Sequence, residues 1–174
     1  YNLNSDIDTI LAFEAQEGVT TVAATLESAP IDKEIELTRH LLPFFEKKSG
    51  RAKLGGIHFE GPFLNPAKKG AMNPDGMVMP NVPDLDRLYE AAEGHMKLIT
   101  VAPDMPGALD VISRAVSRGV KVSAGHTMAS AEQMKAAVDA GLTRMTHTFN
   151  ACRSFDHREP GILGTALTDD RVTC

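Results

Sequence analysis

The sequence LGGIHFEGPF at residues 54–63 begins as a short apolar run and ends in a Gly-Pro pair. Such a run predicts a buried β-strand with Glu60 at its carboxyl end. Two other stretches have the same form, because GVKVSAGH at residues 119–126 ends in His126 and GLTRMTH at residues 141–147 ends in His147. In a parallel sheet the carboxyl ends of the strands share one edge, where functional sites are built. We therefore expect Glu60, His126 and His147 to lie close together.

One carboxylate and two imidazoles form a ligand set typical of a catalytic divalent metal with coordination positions left for water. Zn²⁺ is the first choice for Glu60, His126 and His147, and Fe²⁺ and Co²⁺ also suit them. A single histidine at a strand end is more often a structural hydrogen-bonding residue, so the prediction depends on all three occurring together. His58 points to the same face of its strand as Glu60. It is either a hydrogen-bonding partner of the metal site or part of the polar interior of the sheet.

Helical and strand patterns alternate along the chain. Helices are predicted at residues 6–17, with Ser5 as the N-cap, and at 31–48, 84–93, 106–118 and 130–140. Strands are predicted at residues 19–28, 54–59, 96–102, 121–125 and 143–147, with another beginning at 172–174. The loop at 61–82 is too long for a simple connector and indicates an active-site loop. This alternation predicts an α/β fold, either a (β/α) barrel or a doubly wound sheet.

Length favours part of a barrel. The chain has 174 residues, whereas a complete (β/α)₈ barrel needs roughly 250. We therefore predict a portion of a (β/α)₈ TIM-like barrel, roughly strands 2 to 6 plus the start of strand 7. Residues 1–174 would form a single partial barrel domain, with the flanking barrel units and any small β domain absent. Because an open barrel leaves two unpaired strand edges, we expect the segment to belong to a longer chain or to pair with another copy.

Composition excludes several classes of partner. The formal net charge of −5 argues against binding to nucleic acid, and no run approaches the ~20 apolar residues of a membrane span. The cysteines, Cys152 and Cys174, provide no disulfide framework. A reducing, cytoplasmic location is therefore expected.

Several motifs resemble one family, the N-acetylglucosamine-6-phosphate deacetylases of the metal-dependent amidohydrolase superfamily. They are HFEGPFLNPAKKGA at 58–71, SAGHT at 123–127, and THTFNA at 146–151 followed by REPG at 158–161. GVTTVAATLESAP at 18–30 also resembles the family's second-strand region, so the resemblance covers nearly the whole chain. It implies a (β/α)₈ barrel and a divalent metal. It also implies hydrolysis of N-acetylglucosamine 6-phosphate to glucosamine 6-phosphate and acetate, a reaction of amino-sugar catabolism.

The same resemblance implies how the substrate is held. Asn150 would bind the sugar phosphate through its side chain and Ala151 through its backbone. Arg158 would reach the phosphate in a neighbouring subunit's site, which makes a homodimer the expected assembly. A guanidinium suits this role because it can make two parallel hydrogen bonds to phosphate. Lys68 and Lys69 could attract an anionic substrate, although solvated surface charges are the preferred interpretation.

Two features depart from a complete enzyme of this kind. The resemblance implies a general-base aspartate on a later strand outside this segment, and none of Asp156, Asp169 and Asp170 sits at a predicted strand end, so the catalytic base stays unassigned. Met72 stands where the family usually has a histidine that contacts the substrate near its acetyl group. A thioether is only a weak hydrogen-bond acceptor and cannot donate.

Three functions therefore stay open. The first is deacetylation of N-acetylglucosamine 6-phosphate, with this segment alone catalytically incomplete. The second is deacetylation of another N-acetyl hexosamine phosphate or hydrolysis of a related amide. The third is a non-catalytic sugar-phosphate-binding remnant, which need not bind stoichiometric metal.

Overall fold

Five parallel strands form one sheet in a computed structural model that describes residues 6–46 and 50–174. The strands are β1 (Thr21–Glu27), β2 (Lys53–Glu60), β3 (Met96–Val101), β4 (Lys121–Ala124) and β5 (Arg144–Met145). The α-helices are α1 (Ile7–Gln16), α2 (Ile31–Leu41), α3 (Val82–Ala91), α4 (Ala108–Ser117), α5 (Ala131–Asp139) and α6 (Gly161–Ala166).

The strand order follows the chain, β1-β2-β3-β4-β5, and every pairing is parallel. Right-handed crossovers in a sequential order place all the connecting helices on one face of the sheet. Neighbouring helices from α2 to α6 accordingly pack against each other in sequence. A doubly wound sheet would instead reverse its strand order at a switch point. The barrel prediction is therefore confirmed over the doubly wound alternative.

The two faces of the sheet differ in polarity because successive side chains alternate between them. The face under the helices is apolar and fully buried, as shown by Ile57, Phe59, Ile99 and Val122. The opposite face carries His58, Glu60, Thr100 and Ser123, and it corresponds to a barrel interior. Burial of the apolar face supplies most of the driving force for folding, while the polar face remains available for chemistry.

Most predicted elements are confirmed, with differences at their ends. The α-helix predicted at 31–48 ends earlier, at Leu41, and is followed by a 3₁₀ turn at Leu42–Phe45, because Pro43 has no backbone N–H with which to continue the α-helical hydrogen bonds. The last two residues of the predicted helix, 47 and 48, lie outside the described residues. The expected cap Ser5 lies outside the described residues, and the Asp6 side chain accepts a hydrogen bond from the Thr9 N–H at 3.0 Å. The predicted further strand begins at Thr173, which pairs in parallel with Arg144.

The loop at residues 61–81 folds back over the carboxyl edge of the sheet. It contains short 3₁₀ turns at Pro66–Lys68 and Pro74–Gly76, each capped by an asparagine side chain. Gly76 is buried against the backbone of Ser28 and Ala29, which connect β1 to α2. This packing holds the loop over the edge at which β2 and β4 end.

None of the helices within the described ranges has the length and apolar character needed to cross a bilayer.

Glu34 in α2 is a carboxyl group buried among the helices, with only 1% of its surface exposed. One oxygen accepts a hydrogen bond from the Ala29 N–H at 3.0 Å, and the other has no partner among the described residues. Burial raises the pKa of Glu34 to about 8, although the Ala29 hydrogen bond opposes that effect. The side chain is therefore protonated and neutral at physiological pH, which avoids an unpaired buried charge.

We expect Glu34 to make the fold less stable as pH rises. Its pKa is higher in the folded state than in the unfolded state, so ionisation of the unfolded chain begins first, and stability falls between about pH 4.5 and pH 8. The free energy of unfolding should fall by roughly 3 kcal/mol between pH 5 and pH 8 because of this shift. Glu34→Gln should remove that dependence and stabilise the chain at pH 8. Glu36→Gln, an exposed change in the same helix, is the control for urea unfolding across this range. Parallel pH profiles of the free energy of unfolding for the wild-type chain and Glu34→Gln would contradict the assignment of this pH dependence to Glu34.

Candidate metal centre

Three strands bring Glu60, His126 and His147 together at the carboxyl edge of the sheet. Glu60 is the last residue of β2, and His126 and His147 each follow the end of their strand by two residues. One ligand atom from each side chain lies within 4.8 Å of the other two. Glu60 Oε1 is 3.1 Å from Nε2 of His126 and 3.1 Å from Nε2 of His147. The spacing therefore suits a single ion bound between the three side chains.

The ring orientation of His126 identifies the nitrogen that would bind metal. Its Nδ1 lies 2.8 Å from the backbone carbonyl oxygen of Lys68. A carbonyl can only accept, so Nδ1 carries the hydrogen and the neutral ring has its lone pair on Nε2. That Nε2 faces the Glu60 carboxylate and lies 2.9 Å from Nε2 of His147. Facing lone pairs need a proton or a metal ion between them, and a backbone hydrogen bond on the second ring nitrogen is usual for a metal-binding histidine.

The electrostatics of the three side chains agree with a cation site. The hydrogen bond with His126 holds the pKa of the Glu60 carboxyl below its ordinary value, although burial opposes that effect. Burial acts to lower the pKa of His126, but the Glu60 carboxylate and the Lys68 carbonyl outweigh it, so that pKa is raised. The pocket thus favours a negative Glu60 with a positive charge close to it. A divalent cation meets that requirement with the ligand types present.

The backbone around the centre is held in an unusual conformation. The φ angles of His126, His147, Phe149 and Ala151 are +47°, +33°, +78° and +45°, which is left-handed backbone in residues other than glycine. Such residues cost of order 1–3 kcal/mol each and cluster at functional sites. Backbone hydrogen bonds support this conformation. The Asn65 N–H donates to the His126 carbonyl at 3.0 Å, and other backbone hydrogen bonds join the loop after β4 to the loop after β5. In this backbone conformation the imidazoles of His126 and His147 are directed toward Glu60.

Comparison with known proteins shows that the chain is similar to part of several larger proteins. No protein-family model matches the chain. The N-acetylglucosamine-6-phosphate deacetylase of Lysinibacillus sphaericus is 35% identical over 158 residues, which are 90% of this chain and 41% of that protein. A solved structure of the Mycobacterium smegmatis N-acetyl-D-glucosamine-6-phosphate deacetylase, an aspartate-to-alanine mutant in complex with N-acetyl-D-glucosamine-6-phosphate, superimposes with a TM-score of 0.90 at 36% identity. The match covers 97% of this chain and 44% of that one.

By sequence and by fold, the chain is a relative of the N-acetylglucosamine-6-phosphate deacetylases. The N-acetylgalactosamine-6-phosphate deacetylase of Escherichia coli O157:H7 is also similar, with 30% identity over 166 residues that span 95% of this chain and 44% of that protein. The chain therefore spans about two fifths of the length of the relatives it matches. Its five strands correspond to a portion of the deacetylase barrel.

His58 lies below the candidate metal centre on the polar face of the sheet. Its Nδ1 is 3.1 Å from the Thr25 hydroxyl, and its Nε2 is 2.8 Å from the Thr100 hydroxyl. Thr100 is in turn 2.8 Å from the hydroxyl of Thr146, which is 2.6 Å from that of Ser123. Burial lowers the pKa of His58, and nearby His147 adds to that effect while Glu60 opposes it. Of the two roles predicted for His58, this geometry favours the interior hydrogen-bonding role, since threonines occupy both ring nitrogens.

The residues predicted to bind substrate differ in their exposure. Asn150 and Arg158 are exposed, and Ala151 is half-buried. Gly70 brings the loop after β2 against this segment, because a Cβ at Gly70 would lie 3.5 Å from the His126 ring and 4.0 Å from the Ala151 Cβ. Met72, two residues further on, is buried. The substrate-binding roles of these residues remain predictions.

The other charged residues of the predicted site region lie outside the ligand cluster. Lys69 is exposed, with its ammonium 3.3 Å from the Gly70 carbonyl, whereas Lys68 is half-buried. Asp156 accepts a hydrogen bond from the Arg158 N–H, and Asp169 pairs with Arg171. Asp170 is exposed. Among the described residues, Glu60, His126 and His147 are the group of three whose geometry suits an ion.

Two contributors to the centre are not evident from the sequence patterns. The Lys68 carbonyl that orients His126 carries no sequence signal, since any residue type has a backbone oxygen. Asp104 hydrogen bonds both to the loop after β2 and to the loop after β4. Asp104 comes shortly after the strand predicted at 96–102, as Glu60 comes directly after its own predicted strand. This similarity could have identified Asp104 from the sequence.

Proposed function

We propose that the chain supplies the metal-binding part of an enzyme that hydrolyses N-acetylglucosamine 6-phosphate to glucosamine 6-phosphate and acetate. The observation that carries this proposal is the convergence of Glu60, His126 and His147 from three strands, with their ligand atoms within 4.8 Å of one another. The relatives named as deacetylases supply the reaction class. Because the chain spans only part of their length, the activity belongs to a longer protein that carries this segment.

Glu60, His126 and His147 would hold one divalent ion, with Zn²⁺ as our first candidate and Fe²⁺ and Co²⁺ as alternatives. When bound, such an ion supplies an activated water molecule and a positive charge for the amide oxygen. The protein keeps the His126 ring in one orientation through the Lys68 carbonyl. We assign the general base to an aspartate outside this chain. The substrate complex of the Mycobacterium smegmatis relative carries an aspartate-to-alanine substitution, which is consistent with that assignment.

The sugar phosphate would bind beside the metal centre, on the segment that contains Asn150 and Ala151. Left-handed residues at His147, Phe149 and Ala151 alternate with other residues. Alternation of this kind aims neighbouring backbone N–H groups into an anion-binding concavity. We propose that the Ala151 backbone and the Asn150 side chain contact the substrate there. Met72 cannot donate a hydrogen bond, so another group must polarise the acetyl carbonyl or the affinity for the acetyl group is reduced.

We also propose a homodimer in which Arg158 reaches the phosphate bound in the neighbouring site. Arg158 is exposed on the loop before α6, and no ion pair or side-chain hydrogen bond is found for its guanidinium within the described part of the chain.

We propose a cytoplasmic location on the basis of the proposed substrate, since a phosphorylated sugar is charged and does not cross a membrane unaided. The free thiols Cys152 and Cys174 agree with a reducing compartment.

Arg158→Ala should raise KM for the phosphorylated sugar far more than for its unphosphorylated analogue. A guanidinium–phosphate pair is charge-assisted, and its loss should cost roughly 10-fold or more in affinity. Steady-state kinetics of acetate release from both compounds measure the difference. Arg171→Ala, which removes an exposed arginine from another part of the surface, is the control. Equal changes in KM for the two compounds would contradict a phosphate-binding role.

A second candidate substrate is N-acetylgalactosamine 6-phosphate, favoured by the 30% identity to the Escherichia coli O157:H7 enzyme. The two hexosamines differ at one hydroxyl, so the metal centre would serve either. Values of kcat/KM for the two epimers, measured on the protein that carries this chain, decide between them.

Acetate release from N-acetylglucosamine 6-phosphate by the Zn²⁺-loaded protein is the direct test of the proposed activity. Bound metal is determined by elemental analysis of the same sample. Stoichiometric metal without acetate release from either epimer would reject deacetylation of these substrates. Failure to bind metal at all would favour a sugar-phosphate-binding remnant.

A further inference from the structure

Asp104 lies at the same edge of the sheet as the candidate ligands, three residues after the end of β3, and is half-buried. One carboxylate oxygen accepts a hydrogen bond from the hydroxyl of Thr127. The other accepts from the Asn65 side-chain amide at 2.6 Å and from the Met128 backbone N–H at 3.2 Å. A single carboxylate thus joins the loop after β2 to the loop after β4. His126 belongs to the loop after β4 and hydrogen bonds to the loop after β2.

The contact through Asn65 leads to the His126 ring. The Asn65 backbone N–H donates to the His126 carbonyl at 3.0 Å. The Asn65 side-chain oxygen accepts from the Ala67 N–H at 2.8 Å and so begins the 3₁₀ turn that ends at Lys68. The Lys68 carbonyl then accepts the hydrogen of His126 Nδ1. Because Asp104 accepts from the amide nitrogen of Asn65, it orients that amide so that its oxygen faces the turn.

The contact through Thr127 leads to the backbone of His126. Thr127 is fully buried, and its hydroxyl accepts from the Ala129 N–H at 3.0 Å. The hydroxyl has one hydrogen, and that hydrogen goes to Asp104. Thr127 directly follows His126, whose left-handed backbone is uncommon for residues other than glycine. Asp104 therefore restrains the His126 backbone as well as its ring.

We propose that Asp104 is a positioning residue for the metal centre, fixing His126 with Nδ1–H on the Lys68 carbonyl and Nε2 directed at Glu60 and His147. The proposal rests on the proposed metal-binding role of His126. The residue type is decided by chemistry, since all three groups that reach Asp104 are donors and an ionised carboxylate only accepts. Asparagine has the same shape but is neutral, and when its oxygen accepts from Asn65 and Met128 its N–H₂ faces the Thr127 hydroxyl, which can then no longer donate at this position. Asp104→Asn therefore removes the hydrogen bond from the Thr127 hydroxyl to a carboxylate and weakens the other two, which lose their charge assistance.

Cobalt binding provides the first test. We expect Asp104→Asn to weaken the affinity of the chain for Co²⁺ by roughly 10-fold, the lower end of the loss that follows removal of a direct hydrogen-bonding partner of a metal-binding histidine, because Asp104 acts on His126 through Asn65 and Thr127. The visible spectrum of the remaining cobalt complex should change, because the ligand geometry around the ion changes. Asp170→Asn, which makes the same change in charge at an exposed carboxylate, should leave both the dissociation constant and the spectrum unchanged. A wild-type dissociation constant and spectrum in Asp104→Asn would overturn the proposal.

The Nδ1 hydrogen of His126 provides a second test that needs no metal. Nitrogen-15 NMR of the chelator-treated chain at about pH 5, below the usual titration range of histidine, observes a ring with hydrogen on both nitrogens, and the Nδ1 hydrogen should exchange slowly because the Lys68 carbonyl accepts it. In Asp104→Asn that hydrogen should exchange faster with solvent, and an unchanged exchange rate would count against the role of Asp104. If no variant binds cobalt, the metal-binding proposal fails, while the exchange measurement still decides whether Asp104 positions the ring.

A double-mutant cycle separates action through Asn65 from a general loss of stability. If Asp104 acts through Asn65, combining Asp104→Asn with Asn65→Ala should weaken cobalt binding by less than the product of the two single effects. Independent, multiplicative effects would overturn the path through Asn65.

Discussion

Replacing His126 by alanine is expected to reduce bound metal from about one ion per chain to near zero, because three protein ligands are the usual minimum for a catalytic site of this type. The imidazole of His126 is the most buried of the three candidate ligands, with 4% of the residue exposed, so water cannot readily replace it with the same geometry. The measurement is elemental analysis after dialysis, with Zn²⁺ and Co²⁺ tested separately. The proposed deacetylation should be lost in parallel in the protein that carries the chain.

The matched control for this experiment is His157→Ala. His157 has 73% of its side chain exposed and lies outside the ligand cluster, so its removal should leave metal stoichiometry unchanged. A normal metal content in His126→Ala would remove His126 from the ligand set and leave the convergence of the three side chains without a metal-binding role.

The second large effect is expected at Gly76, where alanine should destabilise the fold by about 3 kcal/mol through overpacking. A Cβ at this position would lie 2.6 Å from the Ser28 carbonyl oxygen and 2.6 Å from the Ala29 Cα. Both contacts are with backbone, which cannot move aside as the end of a flexible side chain can. Relief of the clash would move the loop at 61–81 away from the β1–α2 connection, and that loop contains Lys68. Urea unfolding measures the loss of stability.

Gly18→Ala is the comparison that separates crowding from backbone strain. Gly18 has a φ of +87°, and a Cβ added there would meet no neighbouring atom of the described chain within 4 Å. Alanine at this position should therefore cost about 1 kcal/mol from the left-handed backbone alone. If Gly76→Ala lowers the free energy of unfolding by no more than Gly18→Ala does, the packing of the loop against Ser28 and Ala29 does not contribute to stability.

The convergence of Glu60, His126 and His147 could be predicted because it depends on local patterns. Each side chain follows an apolar strand, and parallel strands bring their carboxyl ends to one edge wherever the fold is built from βα units. The bounds of β2, β3 and β4 follow from the same alternation, whereas the sequential strand order follows from the barrel that the chain length favoured over a doubly wound sheet. These features need only periodicity and the position of glycine and proline.

Other features depend on contacts between distant residues that leave no local pattern. The helix α6 has two glycines among its six residues and therefore no helical signal, and it is held partly by the Glu159 carboxylate, which accepts from the Ala131 and Gly161 N–H groups. The strand β5 is only two residues long because the chain turns into left-handed backbone at His147. The choice between two roles for His58 needed the positions of Thr25 and Thr100 on neighbouring strands.

The hydrogen bonds between His58 and the neighbouring hydroxyl groups can run in only a few combinations of donor and acceptor. A neutral imidazole has one N–H, and each hydroxyl has one hydrogen to donate. If His58 donates to Thr25, then Thr100 donates to His58, Thr146 to Thr100 and Ser123 to Thr146. If His58 instead donates to Thr100, Thr25 must donate to His58, whereas Thr100 can either donate to Thr146 or accept a second hydrogen bond from it. A change of the His58 tautomer therefore reverses the hydrogen bonds on both sides of the ring, at Thr25 on β1 and Thr100 on β3, and leaves the hydroxyls of Thr146 and Ser123 beneath the candidate metal ligands free to follow or to stay.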